Sequence, residues 1–543
     1  MIMKKYILGI SLALLAFSAC KKSYLDETPY SSYTPVTLTD SLGFDAAIVG
    51  LYHQLEGYFA WSDHQGWPSV WAVGTDIANA TANQESVEIP YYDYGKLTPS
   101  DVGAAKIWSL NYQMINLTNI IIDNAADPSV NISETNKASA SAEARFFRGY
   151  AYNELSILFG GVPLIEHALT APKTDFTRTG LDQVNQFIIN DLRYAADHLP
   201  DIDDMPSNAK GRLYGRANKY MAMQLLAEVY IKAGKPDSAE MMTQKIIGSG
   251  RFSLVDKRYG VVSKVPGDYY SDMFHYGNQR RSQGNTEAIW VLEVENPSTV
   301  VGGVTDNPQQ RRVWGAAYYQ ISGMKICDSL GGRGIARLRL SNWVLYGLYQ
   351  DGDIRNSEYN IKRHYYYNDP ASPDYGKEVP FTGPDTLYKI CPSTTKWGQY
   401  DPNDEFGYAM IKDFILMRLG ETYLLQAEAQ FDQGKLAEAA ASINVLRKRA
   451  FAAYPAKGQV SASDITLNFI LDERARELVG EENRRETLMR TKTLVERSIR
   501  LNSGDAQHPT TGLTQTNLLL PVPLSEIQLN KDAVLEQNPG YTN

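Results

Sequence analysis

The sequence predicts a mainly α-helical protein, a repeat-built frame carrying long irregular loops and a few short strands. Three observations predict it. Apolar residues recur at three- and four-residue steps through a series of segments. Two distant stretches share one spaced pattern, "AEVYIKAGKPDSA" at 227–239 and "AEAQFDQGKLAEA" at 427–439. Between the helical blocks, residues 58–100 and 255–410 lose any regular period and fill with Gly, Pro, Asn, Asp and aromatics, as functional loops do.

In chain order the helical patterns fall at 39–57, 103–125, 137–159, 181–198, 213–233, 236–248, 414–431, 435–450, 465–479 and 482–498. A strand is expected at "EAIWVLEV", 287–294. The paired stretches read as helix–turn–helix units. Ala227 and Ala239 lie twelve positions apart, as do Ala427 and Ala439, and tetratricopeptide units place small residues where two antiparallel helices cross closely. Leu226 and Tyr230 fit the same pattern, whereas Gln430 takes the tyrosine's place in the second copy. Gly234-Lys235 and Gly434-Lys435 supply the turns, because glycine takes the left-handed conformation without steric cost and lysine suits a helix C-terminus. The charges of these stretches are expected to face solvent.

The N-terminus reads "MIMKKYILGISLALLAFSAC", with Lys4 and Lys5, an apolar run from Ile7 to Phe17, and small residues before Cys20. This is the pattern of an export signal. The run is shorter than the about 20 residues a membrane-spanning helix needs. "FSAC" resembles a bacterial lipobox, which makes residues 1–19 a signal peptide and Cys20 the lipidated N-terminus of the mature chain. "KKSYLDETPYSSYTP" then reads as an extended tether, over 20–38. Cys327 and Cys391 remain, as one disulfide or as free thiols.

Hydrophobic residues at 43% and charged residues at 21% describe a soluble globular chain with ample core. A net charge of −9 gives no basic field for a phosphate backbone, so nucleic acid is not an expected partner. There is no HExxH, GxSxG or GxxxxGK[ST] motif. No catalytic residue, metal or cofactor is therefore expected, although the paired carboxylates of a glycoside hydrolase carry no fixed spacing and leave that class open. "LGGRG" at 330–334 reads as a turn and "DGDIR" at 351–355 as a capped turn. "LDERARELVGEENRRETLMR" at 471–490 reads as a structural ion-pair network on a solvated helix face.

The aromatics point to a ligand. "YFAWSDHQGWPSVWAVGTDIANATANQ" at 58–84 sets Trp61, Trp67 and Trp71 among Asp, Asn, Gln and Gly, and "RRVWGAAYYQ" at 311–320 adds Trp314, Tyr318 and Tyr319. "RHYYYND" at 363–369 and Trp397 extend the set. A sugar ring has C–H faces edged by hydroxyls, so its site needs aromatic plates beside planar hydrogen-bonding groups. Trp61, Trp67, Trp71, Trp314, Tyr318, Tyr319 and Trp397 are the ligand-binding candidates. Packing against the body is the competing role for each.

Several stretches in order resemble the SusD/RagB family of Bacteroidetes outer-membrane lipoproteins. They are "ASAEARFFRGYAYNELSILFGGVPLI", "RTGLDQVNQFIINDLRYAADHLP", "GRANKYMAMQLLAEVYIKAGK", "KDFILMRLGETYLLQAEAQ", "INVLRKRA" and "NLLLPVPLSEIQLNKDAVLEQNPGY". The resemblance implies a SusD-like α/α fold, with an N-terminal helical region over 39–254 and a C-terminal region over 255–543 that holds the ligand-face loops and the second repeat unit. It implies a non-catalytic, surface-anchored protein that captures an oligosaccharide for a SusC-like TonB-dependent transporter. A peptide or another nutrient is the alternative ligand. "GEENRRE" at 480–486 departs from the family's usual Glu-Gly-x-Arg, and "CKKSYLDE" is a less acidic leader than surface export favours.

Overall fold

The computed structural model describes residues 38–59, 67–209, 211–296, 300, 308–398, 410–502 and 508–542. The expected signal peptide, Cys20 and the tether through residue 37 lie outside the described residues. Helices of seven residues or more are α1 Ser41–Glu56, α2 Val102–Ala126, α3 Glu134–Phe159, α4 Leu181–His198, α5 Lys219–Lys232, α6 Pro236–Gly248, α7 Leu419–Asp432, α8 Leu436–Ala450, α9 Leu467–Leu478, α10 Arg484–Arg490 and α11 Leu494–Leu501. Short strands β1 Ala78–Ala80 and β3 Leu338–Leu340 pair antiparallel, as do β2 Ala288–Leu292 and β4 Phe414–Arg418. No described helix is long and apolar enough to cross a membrane.

Side-chain caps set most helix starts. Asp40, Asp101, Ser133, Asn218 and Thr466 each accept a hydrogen bond from the first turn of the helix they precede. Asn218 explains why the helix expected from 213 begins only at Lys219. Residues 414–418, expected as helix, form β4 instead: a short apolar run such as "FILMR" fits either state, and pairing with β2 decides it. The helix expected over 482–498 is two, α10 and α11, because Lys492 adopts a left-handed φ of 57° and Thr493 N–H closes back on Leu488 O at 2.8 Å.

The frame is a stack of antiparallel neighbours. Each helix from α2 to α8 packs on the next, including α6 on α7, which residues 249–418 separate in sequence. The two repeat units therefore sit side by side. Ala227, Ala239, Ala427 and Ala439 are fully buried, which lets the helix backbones approach. Gly234 (φ 68°) and Gly434 (φ 74°) end their helices by the same pair of bonds: Gly234 N–H to Ile231 O and Lys235 N–H to Tyr230 O, then Gly434 N–H to Phe431 O and Lys435 N–H to Gln430 O. Gln430 joins the units, donating to Glu240 at 2.9 Å and accepting from Ser442 at 2.8 Å. Contrary to the solvent-facing expectation, Glu428 is buried and holds Arg490 through two bonds of 2.6 and 2.9 Å.

The charge run 471–490 is likewise interior, which corrects the solvated-face reading. Glu473 and Glu477 of α9 are fully buried. Glu473 meets Arg355, Arg447 and Arg476 at 2.9, 3.0 and 2.9 Å. Glu477 meets Arg355 at 2.9 Å and Arg418 at 2.6 Å and also pairs with Arg449. Arg476 is on α9 itself, and the others come from a loop, from the end of β4 and from α8, so α9 pins three separate parts of the chain. The "DGDIR" turn is capped as expected, Asp353 accepting from Arg355 N–H at 3.0 Å. Its Arg355 is also one of the network's cations.

Burial alone would raise the Glu473 carboxyl, but Arg355, then Arg476 and Arg447, outweigh it and hold the group at about 2. Arg449, Arg418 and Arg355 likewise hold Glu477 well below the usual carboxylate range against its burial. A carboxylate depressed in the folded state contributes stability that is present above its unfolded value of 4.5 and is lost as pH falls toward the folded value. Removing one partner of a buried network leaves uncompensated charge. Glu477→Ala should therefore lower the unfolding free energy by about 3–5 kcal/mol at pH 7. Asp351→Ala, at an exposed pair with Lys457, should change it by no more than about 0.5 kcal/mol. In denaturant titrations the wild type should also lose stability as pH falls from 4.5 toward 2. Equal effects of the two substitutions would contradict the network's role.

Candidate functional site

A second set of buried arginines, Arg484, Arg485 and Arg497, fixes the 67–84 segment. Asp76 is fully buried between Arg484 at 2.7 Å and Arg497 at 2.8 Å. Arg485 donates to the carbonyls of Val70 at 2.9 Å, Val73 at 2.6 Å and Tyr91 at 3.1 Å. Trp71, at the end of the helical turn Trp67–Trp71, is thereby held against the body. The helical turn Gln310–Trp314 carries Trp314, which is only 7% exposed. Trp397 is part-buried and donates its indole N–H to Gly480 O at 2.7 Å.

These three tryptophans, from segments more than 80 residues apart in sequence, line one cavity of about 210 Å³ at the seam between the helical frame and the loop layer. Phe414 packs at a tilt between Phe59 (ring centroids 5.0 Å) and Trp397 (5.2 Å), forming an outer aromatic tier. An inner tier follows, in which Tyr150 lies edge-on to Tyr58 (6.5 Å) and to Trp290 (5.8 Å). Polar groups intervene. Gln310 donates to Phe59 O at 3.0 Å, and Arg474 bridges Glu421 at 2.9 Å and Glu482 at 2.8 Å.

The inner end is acidic. Glu154 of α3 accepts from Asn111 at 2.8 Å and faces the Glu486 carboxyl. Burial raises Glu154 to about 7, and burial with the facing Glu154 pushes Glu486 well above its ordinary value. Lys232 donates to Asn153 Oδ1 and Ser156 Oγ, each at 2.6 Å, and burial lowers it to about 7. Among the described residues no group of three or more His, Cys, Asp or Glu side chains is placed to hold a metal ion.

The other candidates fall elsewhere. Tyr318 is 1% exposed and lies outside the cavity. Its hydroxyl donates to Cys327 O at 3.0 Å and accepts from Cys327 N–H at 2.9 Å, while its ring stacks on Tyr365. Tyr319 packs edge-on against it. Trp61 lies outside the described residues, and of Trp67 only the backbone is described. Cys327 and Cys391 are both free thiols. Tyr366 and Tyr375, from the tyrosine-rich loops, are exposed and do not line the cavity.

The sequence reading missed the inner tier. Tyr58 opens the 58–84 stretch but is not among the candidates its residue types suggest. Trp290 falls in the expected strand 287–294, and Phe414 in a segment that reads as helix. Glu154 and Glu486 carried no spacing signal, since α3 and α10 meet only in the fold.

A helical-repeat frame meets its loops at an aromatic, polar-edged cavity, the kind of concave site that small molecules occupy. The chain belongs to the SusD family, whose sequence model matches residues 207–541. A further model, described as starch-binding and associating with the outer membrane, matches residues 23–231. A SusD-like protein of Formosa agariphila is 25% identical over 96% of this chain and 96% of its own length. The match to a SusD-like protein of Bacteroides ovatus, at 29% identity, spans 53% of this chain and half of that protein. Among solved structures, a laminarin-binding SusD-like protein superposes with a TM-score of 0.67 at 22% identity, covering 92% of this chain and 99% of its own. Surface glycan-binding protein A of Bacteroides thetaiotaomicron, in complex with laminarihexaose, gives 0.69 at 18% identity, covering 92% and 100%. At these identities the superpositions carry the fold.

Proposed function

We propose that this protein is a cell-surface lipoprotein that captures an oligosaccharide in the aromatic cleft and delivers it to a SusC-like TonB-dependent transporter. The observation that carries the proposal is the convergence of Trp71, Trp314 and Trp397 with Phe59 and Phe414 on one cavity. Flat apolar plates beside amide, guanidinium and carboxyl groups match the two kinds of surface a sugar presents. Family membership and the laminarin and laminarihexaose ligands of two structural neighbours support the same reading. Lipidation at Cys20 would anchor the chain in the outer membrane, with which the second family description associates it.

The protein acts as a binder without catalysis. Membership of the SusD family supports this reading. Isothermal titration of the soluble chain against neutral oligosaccharides and peptide pools tests the capture step. Binding of a glycan that weakens by about tenfold or more in Trp71→Ala/Trp314→Ala is expected, each ring contributing on the order of 1 kcal/mol beyond its buried area. Trp71→Ala alone serves if the double variant loses its helical circular dichroism. Undiminished glycan binding, or binding of peptides only, would sink the assignment. Delivery is checked by extraction of the outer membrane in mild detergents, where co-purification with a barrel transporter is expected and recovery only as a free monomer counts against it.

A further inference from the structure

Lys412, two residues before β4, is fully buried. Its side-chain amine donates to two main-chain carbonyls, Lys396 O at 2.8 Å and Gly398 O at 2.7 Å, and among the described residues no carboxylate pairs with it. Burial lowers the group to about 7, although Asp328 and Asp413 lie near enough to favour its charge. A lysine so placed is costly, because its amine leaves water without an acidic partner. The two bonds return part of that cost, and what they fix is decided by where the carbonyls lie.

Both carbonyls flank Trp397, one of the three tryptophans on the cavity. Residues 395–398 make a tight turn, closed by Gly398 N–H on Thr395 O at 2.9 Å, with Trp397 at its corner. The side chains of the corner are anchored to the chain that follows α9: Lys396 pairs with Glu481, and the Trp397 indole N–H meets Gly480 O at 2.7 Å. The carbonyls on either side of Trp397 are held by Lys412 alone among the described residues. The same lysine leads into the strand whose Phe414 packs on Trp397, with ring centroids 5.2 Å apart. A ring's face is set by its N–H bond and by the backbone from which it springs, and Lys412 supplies the second constraint.

We propose that Lys412 is a positioning residue of the ligand site: by holding the carbonyls of Lys396 and Gly398 it fixes the corner that aims the Trp397 ring into the cavity. Without the amine the two carbonyls turn toward water, the turn loosens, and the ring no longer keeps its face to the ligand. This rests on the glycan-capture reading and adds to it the group that sets one of its plates.

A double-mutant cycle on the full mature chain tests the role, by calorimetry with laminarihexaose, maltohexaose, cellohexaose and mannohexaose as probes. For the probe that binds most tightly, Trp397→Ala should weaken binding on the order of fivefold and Lys412→Met roughly threefold or more. Because Lys412 acts through the ring, adding Lys412→Met to Trp397→Ala should cost less than about twofold more. A second readout needs no ligand: in Lys412→Met the Gly398 amide should exchange hydrogen at least about tenfold faster while the amides of α7 and α8 are unchanged. Lys412→Gln, which keeps a donor, takes the place of Lys412→Met in both measurements if the apolar variant loses its helical circular dichroism. A loss that persists undiminished in the Trp397→Ala background, or unchanged exchange at Gly398, overturns the proposal. Binding that falls with Trp71→Ala but not with the substitution at 412 overturns the role of Lys412 and leaves glycan capture standing. No binding by any probe overturns both.

Discussion

Two buried carboxylates, Glu473 and Glu477 on α9, hold this molecule together. Burying a charge is costly, and the cost is offset only when geometry and further hydrogen bonds are complete. Here each carboxylate meets three guanidinium groups. Apart from Arg476 of α9 itself, the arginines belong to the second repeat unit, to the strand that enters it and to the loop layer, so the helical frame and the irregular chain are not separable parts. Glu287, just before β2, adds a fourth segment through Arg418 and Arg449. A stack of helices alone would leave residues 249–418 loosely tied to the frame.

That constraint sets the shape of the cleft. α10 follows α9 in the chain, and its Arg484 and Arg485 clamp the segment bearing Trp71. Gly480, between the two helices, accepts the Trp397 N–H. The plates of the outer tier are thus held by the network's continuation. A site whose aromatic rings are held in place beforehand loses less side-chain freedom when ligand binds. The frame also contributes a wall of its own: Tyr150, Glu154 and Glu228 project from α3 and α5, so helices and loops both line the cavity.

The frame was legible because its causes are local. The alanine spacing and the two Gly-Lys turns dictate close crossing and a left-handed helix end within thirteen residues, and both units form as the pattern requires. The 471–490 run was misplaced because alternating charge on a helix looks the same whether its partners are water or distant arginines. Arg355 and Glu473 are more than a hundred positions apart, and nothing local announces their pairing. Trp71, Trp314 and Trp397 could be picked as residue types suited to sugars, yet their convergence, and the diversion of Tyr318 into a small core with Tyr365, depend on long-range packing that composition does not encode.

The central claim is that ligand enters the seam between frame and loops. Hydrogen–deuterium exchange with and without a bound oligosaccharide addresses it directly, since amides that ligand covers or tightens exchange more slowly. Protection is predicted at 58–59, 67–72, 310–314, 395–398 and 414–418, with the repeat turns at 233–236 and 433–436 unchanged. Protection confined to the exposed tyrosine-bearing loops around 366–375, with the seam unaltered, would contradict the account.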